Sequence, residues 1–252
     1  MSELELHTWA TWAELAFALF TVISVFVISA PYGRHMRAGW GTEIGARAGW
    51  VLMESPTVLA FLLFYLLGEH RFEAAPLLLL GVWQFHYLRR TFVYPFLLRG
   101  QEGKTMPLVI ALSGVGFNTL NAYINARWVS HLGDYSDWLT RPWLYLGGLV
   151  FLLGWGINVW ADRALRRLRA PGERGYTIPR GGLYELISCP NYLGEILEWI
   201  GWAIATLSLP GLAFAIYTVA NLGPRALSNH RWYRDKFPDY PERRKALIPF
   251  VL

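Results

Sequence analysis

The sequence contains little cysteine and little charge. Its one cysteine, Cys189, has no partner for a disulfide within the chain. Charged residues make up 16% of the 252 residues, whereas a soluble domain of this size carries about 25%. This shortage argues against a soluble globular protein and is typical of a chain whose surface faces lipid. The first apolar stretch follows Glu3 and Glu5 instead of a basic segment, so a cleavable signal peptide is not expected.

Long apolar stretches and aromatic residues are abundant instead. Hydrophobic residues make up 54% of the chain, and its 13 Trp and 13 Tyr are of the types that favour the headgroup level of a bilayer. A helix needs about 20 mostly apolar residues to cross a membrane. Seven segments are expected to cross it: 9–30, 48–67, 74–98, 105–128, 143–161, 191–207 and 211–222. Only residues 208–210 separate the last two, which predicts a tight helical hairpin.

The distribution of Lys and Arg predicts the orientation of these helices. Eighteen of these residues fall in the segments on one side, which are 31–47, 99–104, 162–190 and 223–252, and only Arg71 and Arg141 fall on the other. Because Lys and Arg accumulate in cytoplasmic loops, the N-terminus is expected outside and the C-terminus in the cytoplasm. The formal charge of +5 is then explained by these loops, and nucleic-acid binding is not expected. Residues 1–252 are interpreted as one all-α membrane domain that ends in a short C-terminal interfacial helix.

Ionisable residues inside a span are candidate functional groups, because burying them in lipid is costly. Glu54 lies in the second span, where Pro56 disturbs the turn beside it. Its carboxyl group could point into a cavity or hydrogen-bond to a neighbouring helix. In the third span, Tyr87, Arg90 and Tyr94 share one face, which must therefore line something polar. His86 alone is interpreted as a satisfied interior histidine, and no cluster in the sequence has the spacing of a metal site.

Amides and acids recur on the later spans. Asn121 lies on the amide-lined face of the fourth span, which could serve interhelical hydrogen bonds or a polar ligand. Asn158 and Asp162 are one turn apart at the end of the fifth span, and Asn191 and Glu195 open the sixth. Acids favour a helix start, which explains Glu195 in part. A polar cleft against the basic loop is the alternative interpretation.

The C-terminal region carries a further polar face. Arg225, Asn229 and Tyr233 are spaced by four residues, and His230 follows Asn229. This pattern fits an interfacial amphipathic helix or arginines that converge on a phosphate-rich ligand. Nearly all polar groups within spans lie toward the cytoplasmic half, which predicts a cavity open to the cytoplasm with an apolar deep end and an arginine-rich mouth.

Several runs of sequence resemble the steroid 5α-reductases, and the resemblance extends from about residue 32 to the C-terminus. The matching runs are 85–94 (FHYLRRTFVY), 154–158 (GWGIN), 169–172 (RAPG), 176–183 (YTIPRGGL), 191–201 (NYLGEILEWIG) and 239–250 (DYPERRKALIPF). The resemblance implies a seven-helix enzyme that reduces the conjugated double bond of a 3-oxo-Δ4 steroid with NADPH. It suggests a bacterial member, in the inner membrane; a eukaryotic member would be expected in the endoplasmic reticulum.

The resemblance also implies roles for individual residues. Glu54 and Tyr87 would hold the steroid ketone. The residues expected to bind the cofactor, which include Asn121 from the amide face, are Arg34, Arg90, Asn121, Asn158, Asp162, Arg169, Tyr176, Asn191, Glu195, Arg225, Asn229, His230 and Tyr233. The family often has a histidine where this chain has Asn229, which His230 could replace in part. The expected partners are a steroid and the lipid bilayer; no protein partner is implied.

The chemistry of enone reduction agrees with this set of residues. Hydride addition places negative charge on the ketone oxygen, which two hydrogen-bond donors would stabilise. A carboxylic acid in an apolar pocket favours its protonated form, so Glu54 could donate, as could the phenol of Tyr87. No GxGxxG motif follows a predicted strand, so the cofactor is expected to bind to helix ends and loops.

Two other functions remain open at this point. One is a membrane lipid or isoprenylcysteine methyltransferase that uses S-adenosylmethionine. Such proteins carry Arg-His-Pro where this chain has Ser188-Cys189-Pro190, which argues against that assignment. The other is a seven-helix receptor or carrier without catalytic activity, which would not need an acid and a phenol within the membrane.

Overall fold

The structure is a mostly helical computed structural model that describes residues 1–27, 35, 39–99, 102–168 and 175–252. Eight α-helices lie in this part of the chain. They are α1 (Glu3–Val27), α2 (Ala46–Leu66), α3 (Ala74–Leu88), α4 (Tyr94–Leu97), α5 (Leu108–Arg127), α6 (Pro142–Arg167), α7 (Pro190–Thr206) and α8 (Leu209–Lys236). A π-helical turn, Arg89–Val93, joins α3 to α4, and a second one, Trp128–Leu132, extends α5. Short 3₁₀ turns occur at Trp138–Thr140 and Gly182–Glu185.

In the described part of the chain these elements form seven helical rods, because α3, its π-helical turn and α4 are continuous. Each of the seven segments predicted from apolar run length is helical over most of its described length. Three helices, α1, α2 and α6, are long and apolar enough to cross a membrane by length and composition. Among the others, α3 and α7 contain only 15 and 17 residues.

The C-terminal helix differs from the prediction. A separate short interfacial helix was expected after residue 222, but α8 runs without interruption over 28 residues with Pro224 inside it. A proline removes one backbone donor from a helix and usually kinks or ends it. Here Leu222 and Ala226, on either side of the proline, are buried in one apolar cluster with Ile196 of α7. This shared packing compensates for the lost hydrogen bond.

The hairpin between α7 and α8 agrees with the prediction. Leu207 adopts a left-handed conformation with φ 41°, which reverses the chain. The hydroxyl group of Ser208 then caps α8 by accepting a hydrogen bond from the backbone N–H of Gly211, at 3.0 Å.

A small antiparallel ribbon was not predicted. Strand β1 (Glu43–Gly45) pairs with β2 (Thr105–Pro107), although residue 105 was expected to start a span. Backbone hydrogen bonds from Ala46 to Lys104 and from Leu108 to Thr42 continue the ribbon into the two helices. The ribbon therefore holds the first turns of α2 and α5 side by side.

Helices α6 and α7 pack closely because glycines face each other along their contact. A Cβ atom at Gly194 would lie 2.5 Å from the backbone nitrogen of Asn158 and 2.6 Å from the carbonyl oxygen of Gly154. Gly147 and Gly201 make the same kind of approach two turns farther along. Small residues allow this backbone contact between membrane helices, and the contact brings Asn158 against the start of α7.

Candidate active site

Glu54 is buried on α2 beside an irregular turn. Pro56 has no N–H group for the carbonyl oxygen of Leu52, and the hydroxyl group of Ser55 donates to that oxygen instead, at 3.0 Å. The carbonyl oxygen of Glu54 itself accepts a hydrogen bond from the hydroxyl group of Thr57, at 2.6 Å. The local backbone is therefore satisfied by side chains around the proline.

Tyr87 lies near the end of α3, two residues before the π-helical turn. Its buried ring stacks on Trp199 of α7, with ring centroids 5.3 Å apart and an interplanar angle of 26°. Trp83, one turn earlier, contacts both rings. This aromatic packing determines the direction of the phenol.

Glu54 and Tyr87 line one cavity of about 130 Å³, which we name the acid–phenol cavity. Trp199 and Phe214 form part of its apolar wall. Its wall also contains the polar or charged side chains of Arg90, Asn118, Glu195 and Arg225. This arrangement combines an acid, a phenol and an apolar surface, as is typical of a site for a hydrophobic ligand with a polar group.

A chain of polar contacts leads away from this cavity. The guanidinium group of Arg90 lies 3.3 Å from Glu195 and 3.9 Å from Glu54. The side-chain amide of Asn158 donates to the carbonyl oxygen of Asn191, at 3.0 Å, and lies 3.4 Å from the Glu195 carboxylate. The amide of Asn191 then donates to Asp162, at 3.3 Å. An arginine from the π-helical turn after α3 and acids and amides from α6 and α7 therefore form one connected network.

The network ends at a second cavity of about 240 Å³, which we name the arginine cavity. Its wall contains three arginines, Arg47, Arg99 and Arg166, together with Asp162. Its remaining polar side chains include Tyr94, Tyr176, Thr177 and Tyr233. Among the described residues, no hydrogen-bond partner reaches Arg47 Nε, Arg166 Nη1 or the Oδ2 atom of Asp162, although all three atoms are buried. Unpaired donors and an unpaired acceptor at one cavity indicate a site for a charged, polar ligand.

Trp50 connects the two cavities, since it lines both. Its indole N–H donates to the carbonyl oxygen of Arg90, at 3.2 Å. The Arg90 guanidinium group covers its ring at 4.8 Å. Trp50 also lies one helical turn before Glu54, so the same face of α2 serves both cavities.

Several predicted cofactor residues lie away from both cavities. Asn121 is buried inside the bundle, where its side-chain oxygen accepts a hydrogen bond from Asn125, at 2.7 Å. Asn229 contacts His35 and Tyr192, at 3.2 and 3.3 Å. Arg34 and Arg169 lie outside the described residues. Apart from His230, the structure brings the other predicted residues together in the two cavities and the network between them.

His230 also faces a different part of the protein. Its Nδ1 atom lies 2.6 Å from the hydroxyl oxygen of Ser188, which in turn contacts Tyr240. Burial lowers the pKa of His230 below its ordinary value, and the nearby positive charge of Arg234 lowers it further. The imidazole is therefore a neutral member of a cluster that holds the C-terminal segment against the start of α7.

Several residues that line the cavities or are buried nearby were not predicted from the sequence to be functional. Arg47 and Arg166 were counted only as orienting charges, and Trp50 was not considered. His86 is buried as predicted, but its partner is the buried Glu198 of α7. Glu14 is fully buried on α1, and neither carboxyl oxygen has a hydrogen-bond partner among the described residues. Ionisable residues inside a membrane span are costly and therefore candidate functional groups. The same rule, applied to the first span, would have identified Glu14.

The described residues contain no group of three His, Cys, Asp or Glu side chains that could hold a metal ion. The polar side chains that line the two cavities are mainly those of acids, phenols, amides and arginines. Together they offer hydrogen-bond donors beside an apolar surface, next to a site rich in positive charge.

Comparison with known proteins gives a consistent result. The family model described as 3-oxo-5-alpha-steroid 4-dehydrogenase matches residues 104–252. The chain is 47% identical over 239 residues to the protein named steroid 5-alpha-reductase DET2 of Gossypium hirsutum, covering 93% of each chain. It is 45% identical over 240 residues to the protein of the same name in Arabidopsis thaliana, covering 92% of this chain and 91% of that one. It is 44% identical over 224 residues to 3-oxo-5-alpha-steroid 4-dehydrogenase 1 of Homo sapiens, covering 87% and 85%.

Proposed function

This chain belongs to the 3-oxo-5-alpha-steroid 4-dehydrogenase family, and from that premise we propose that it reduces 3-oxo-Δ4 steroids to 5α-3-oxosteroids with NADPH. It is an oxidoreductase that acts on CH–CH groups. The observation that carries the proposal is the placement of Glu54 and Tyr87 in one partly apolar cavity, connected through Arg90 to the arginine cavity. Each turnover adds a hydride to C5 and a proton to C4, and consumes one NADPH and one proton.

The residues of the arginine cavity fit the phosphate groups of a dinucleotide. Arg47 and Arg166 have buried donor atoms without partners among the described residues, and guanidinium groups match the geometry of phosphate oxygens. Asp162 offers a free acceptor for a hydroxyl group or an amide, and Tyr176 and Tyr233 supply aromatic surface. When bound, NADPH supplies the hydride. The protein's own residues hold it and orient it toward the acid–phenol cavity.

The ketone is held by two donors that carry no charge. Tyr87 donates its phenolic hydrogen to the ketone oxygen, where negative charge develops as the hydride adds. Glu54 donates as a protonated acid. Arg90 would oppose this protonation if Glu54 were its main partner, but Glu195 lies closer to it, at 3.3 Å against 3.9 Å. Glu195 therefore balances the arginine charge, and Glu54 stays neutral.

The protein is a membrane protein, and we assign the membrane topology on the same basis. All seven helical rods cross the bilayer, as a single domain with the N-terminus outside and the C-terminus in the cytoplasm. The uneven distribution of Lys and Arg supports this orientation. The arginine cavity then opens to the cytoplasm, where NADPH is available, in the inner membrane of a bacterium or the endoplasmic reticulum of a eukaryote.

The test uses the purified protein in detergent micelles. NADPH oxidation is followed with a 3-oxo-Δ4 steroid and, as a control, with the 5α-reduced product; mass spectrometry identifies the steroid formed. Steroid-dependent oxidation is expected, and Glu54→Gln should slow it while leaving the affinity for NADPH within about twofold. Titration with S-adenosylmethionine tests the methyltransferase alternative in parallel. Wild-type turnover by Glu54→Gln would refute the donor role of the acid.

A further inference from the structure

Two polar contacts join α3 and its π-helical turn to α7 across the bundle. The inner one is a hydrogen bond between His86 Nδ1 and Glu198 Oε2, and the outer one is the contact between Arg90 and Glu195. His86 and Arg90 are four residues apart along α3 and its π-helical turn, and Glu198 and Glu195 are three apart on α7, as expected for two antiparallel helices in contact. Tyr87 lies between the two contacts along the chain. The position of α3 along α7 therefore decides where the phenol lies.

The inner contact is buried more deeply than any other ion pair or acid–imidazole contact among the described residues. His86 is 2% exposed, and Glu198 is 0% exposed. The imidazole ring packs edge-on against Tyr87, with centroids 4.9 Å apart, and against Trp199 at 4.8 Å. The same two aromatic residues stack on each other. The pair therefore packs directly against the ring whose hydroxyl group is assigned to the ketone.

Stability alone does not explain such a pair. The pair has no net charge, whether it consists of imidazolium and carboxylate or of imidazole and acid. Even so, replacing a buried polar pair by apolar side chains is often neutral or stabilising, and the best-attested use of such pairs is to specify register. The π-helical turn that starts at Arg89 interrupts the regular hydrogen bonding of the helix just after Tyr87. The end of α3 therefore needs a contact that fixes its register against α7. His86 is the last polar anchor of α3 before that turn.

We infer that His86 and Glu198 form a positioning pair that sets the register of α3 on α7 and so places the Tyr87 hydroxyl group at the ketone. This inference rests on the proposed function. The pair does not touch the substrate. It acts through Tyr87, so its loss should impair the chemical step and leave cofactor binding nearly unchanged.

The decisive variant is the double change His86→Phe with Glu198→Met, which removes both partners and leaves no unpaired polar group. We expect a melting temperature close to that of the parent. We expect kcat for a 3-oxo-Δ4 steroid to fall about ten- to a hundredfold, because small misplacements of a catalytic group have effects of that size. KM for NADPH should stay within about twofold, since neither residue lines the arginine cavity. Glu198→Gln keeps an acceptor for the imidazole N–H and should retain kcat within about threefold.

The matched control is Asn125→Leu. It removes another buried interhelical hydrogen bond, the one that the Trp202 indole N–H donates to Asn125 Oδ1 at 2.8 Å. It should lower the melting temperature and leave kcat unchanged.

A folded double variant with the kcat of the parent would overturn the inference, and so would an equal fall of kcat in Asn125→Leu. If the double variant does not fold, kcat of Glu198→Met is compared with kcat of Glu198→Gln at equal folded fraction. A lower kcat in Glu198→Met supports the inference, and equal values overturn it. A parent protein without steroid-dependent NADPH oxidation would instead overturn the proposed function.

Discussion

Arg90 and Glu195 form the contact that separates the charged part of the site from its neutral part. Their side chains lie 3.3 Å apart on helices that are more than one hundred residues distant in sequence. In the proposed mechanism, Glu195 balances the arginine, and Glu54 keeps its proton in the same cavity. The proposed neutral donor therefore depends on a charged pair next to it.

Replacing Glu195 tests this dependence. Two acids, Glu54 and Glu195, line the acid–phenol cavity beside Arg90. In Glu195→Gln, Glu54 is the one of the two that still pairs with the arginine, which favours the carboxylate form of Glu54. We expect kcat at saturating NADPH to fall about tenfold near neutral pH and to recover as the pH is lowered. The exposed Glu242→Gln is the charge-matched control. A uniform fall of kcat at every pH would contradict the explanation.

Tyr87→Phe should remove the phenolic donor while keeping the ring that stacks on Trp199. Loss of one donor at a developing oxyanion lowers kcat about a hundred- to a thousandfold. The affinity for NADPH, measured by titration without steroid, should not change. Tyr65→Phe is the control, because it removes a hydroxyl group that donates to the carbonyl oxygen of Arg71 at the other end of α2. Equal kinetic effects of the two variants would count against a specific role for Tyr87.

Arg166→Ala should weaken NADPH binding about ten- to a hundredfold, the usual effect of losing a hydrogen bond to a charged group. Its buried Nη1 atom has no hydrogen-bond partner among the described residues and lies at the arginine cavity. Arg167→Ala, an exposed neighbour on the same helix, is the control. Binding constants for NADPH and NADH are measured for each variant. An Arg166→Ala protein with unchanged NADPH affinity would place the phosphates elsewhere.

Gly194→Ala should destabilise the protein by about 1–3 kcal/mol, because the new methyl group would overlap α6. The forced separation of α6 and α7 should also weaken NADPH binding, since Asn158, Asn191 and Glu195 meet at this contact. Thermal unfolding and NADPH titration measure the two effects. Gly156→Ala, with no atom within 4 Å of the added Cβ, should be neutral or slightly stabilising. Equal melting temperatures for the two variants would show that the contact is not tight.

His230 should make stability depend on pH. Its pKa in the folded protein is lowered by burial and by Arg234, so below about pH 6.5 the unfolded chain binds more protons at this residue than the folded protein. Stability should therefore fall as the pH drops from about 6.5 toward the folded-state pKa. Thermal unfolding of the parent and of His230→Gln, measured from about pH 8 to pH 5, should show a smaller dependence in the variant. Identical pH dependence would exclude this residue as a cause.

Part of the site was accessible from the sequence. Glu54, Tyr87 and Arg90 stood out because ionisable and phenolic groups are rare within apolar spans, and the structure gathers them in one cavity. The same rule did not distinguish Asn121, which satisfies Asn125, from Asn118, which lines the cavity. Both lie on one face of α5, and helical spacing alone does not show which of them reaches the cavity and which is buried between helices.

The sequence by itself determined where the helices lie and which residues share a face. Apolar run length, turn residues and helical periodicity act within about 20 residues, so they are readable without a structure. Even the α7–α8 hairpin followed from its short connection. The continuity of α8 through Pro224 did not, because the packing that stabilises it involves residues far away in the chain.

Only the tertiary structure decided which faces meet. It paired His86 with Glu198, and Arg90 with Glu195 more closely than with Glu54. It also placed Trp50 between the two cavities and directed His230 to Ser188. The rotation and register of each helix against its neighbours depend on close packing between residues distant in sequence. The periodicity of a single helix contains no information about that choice.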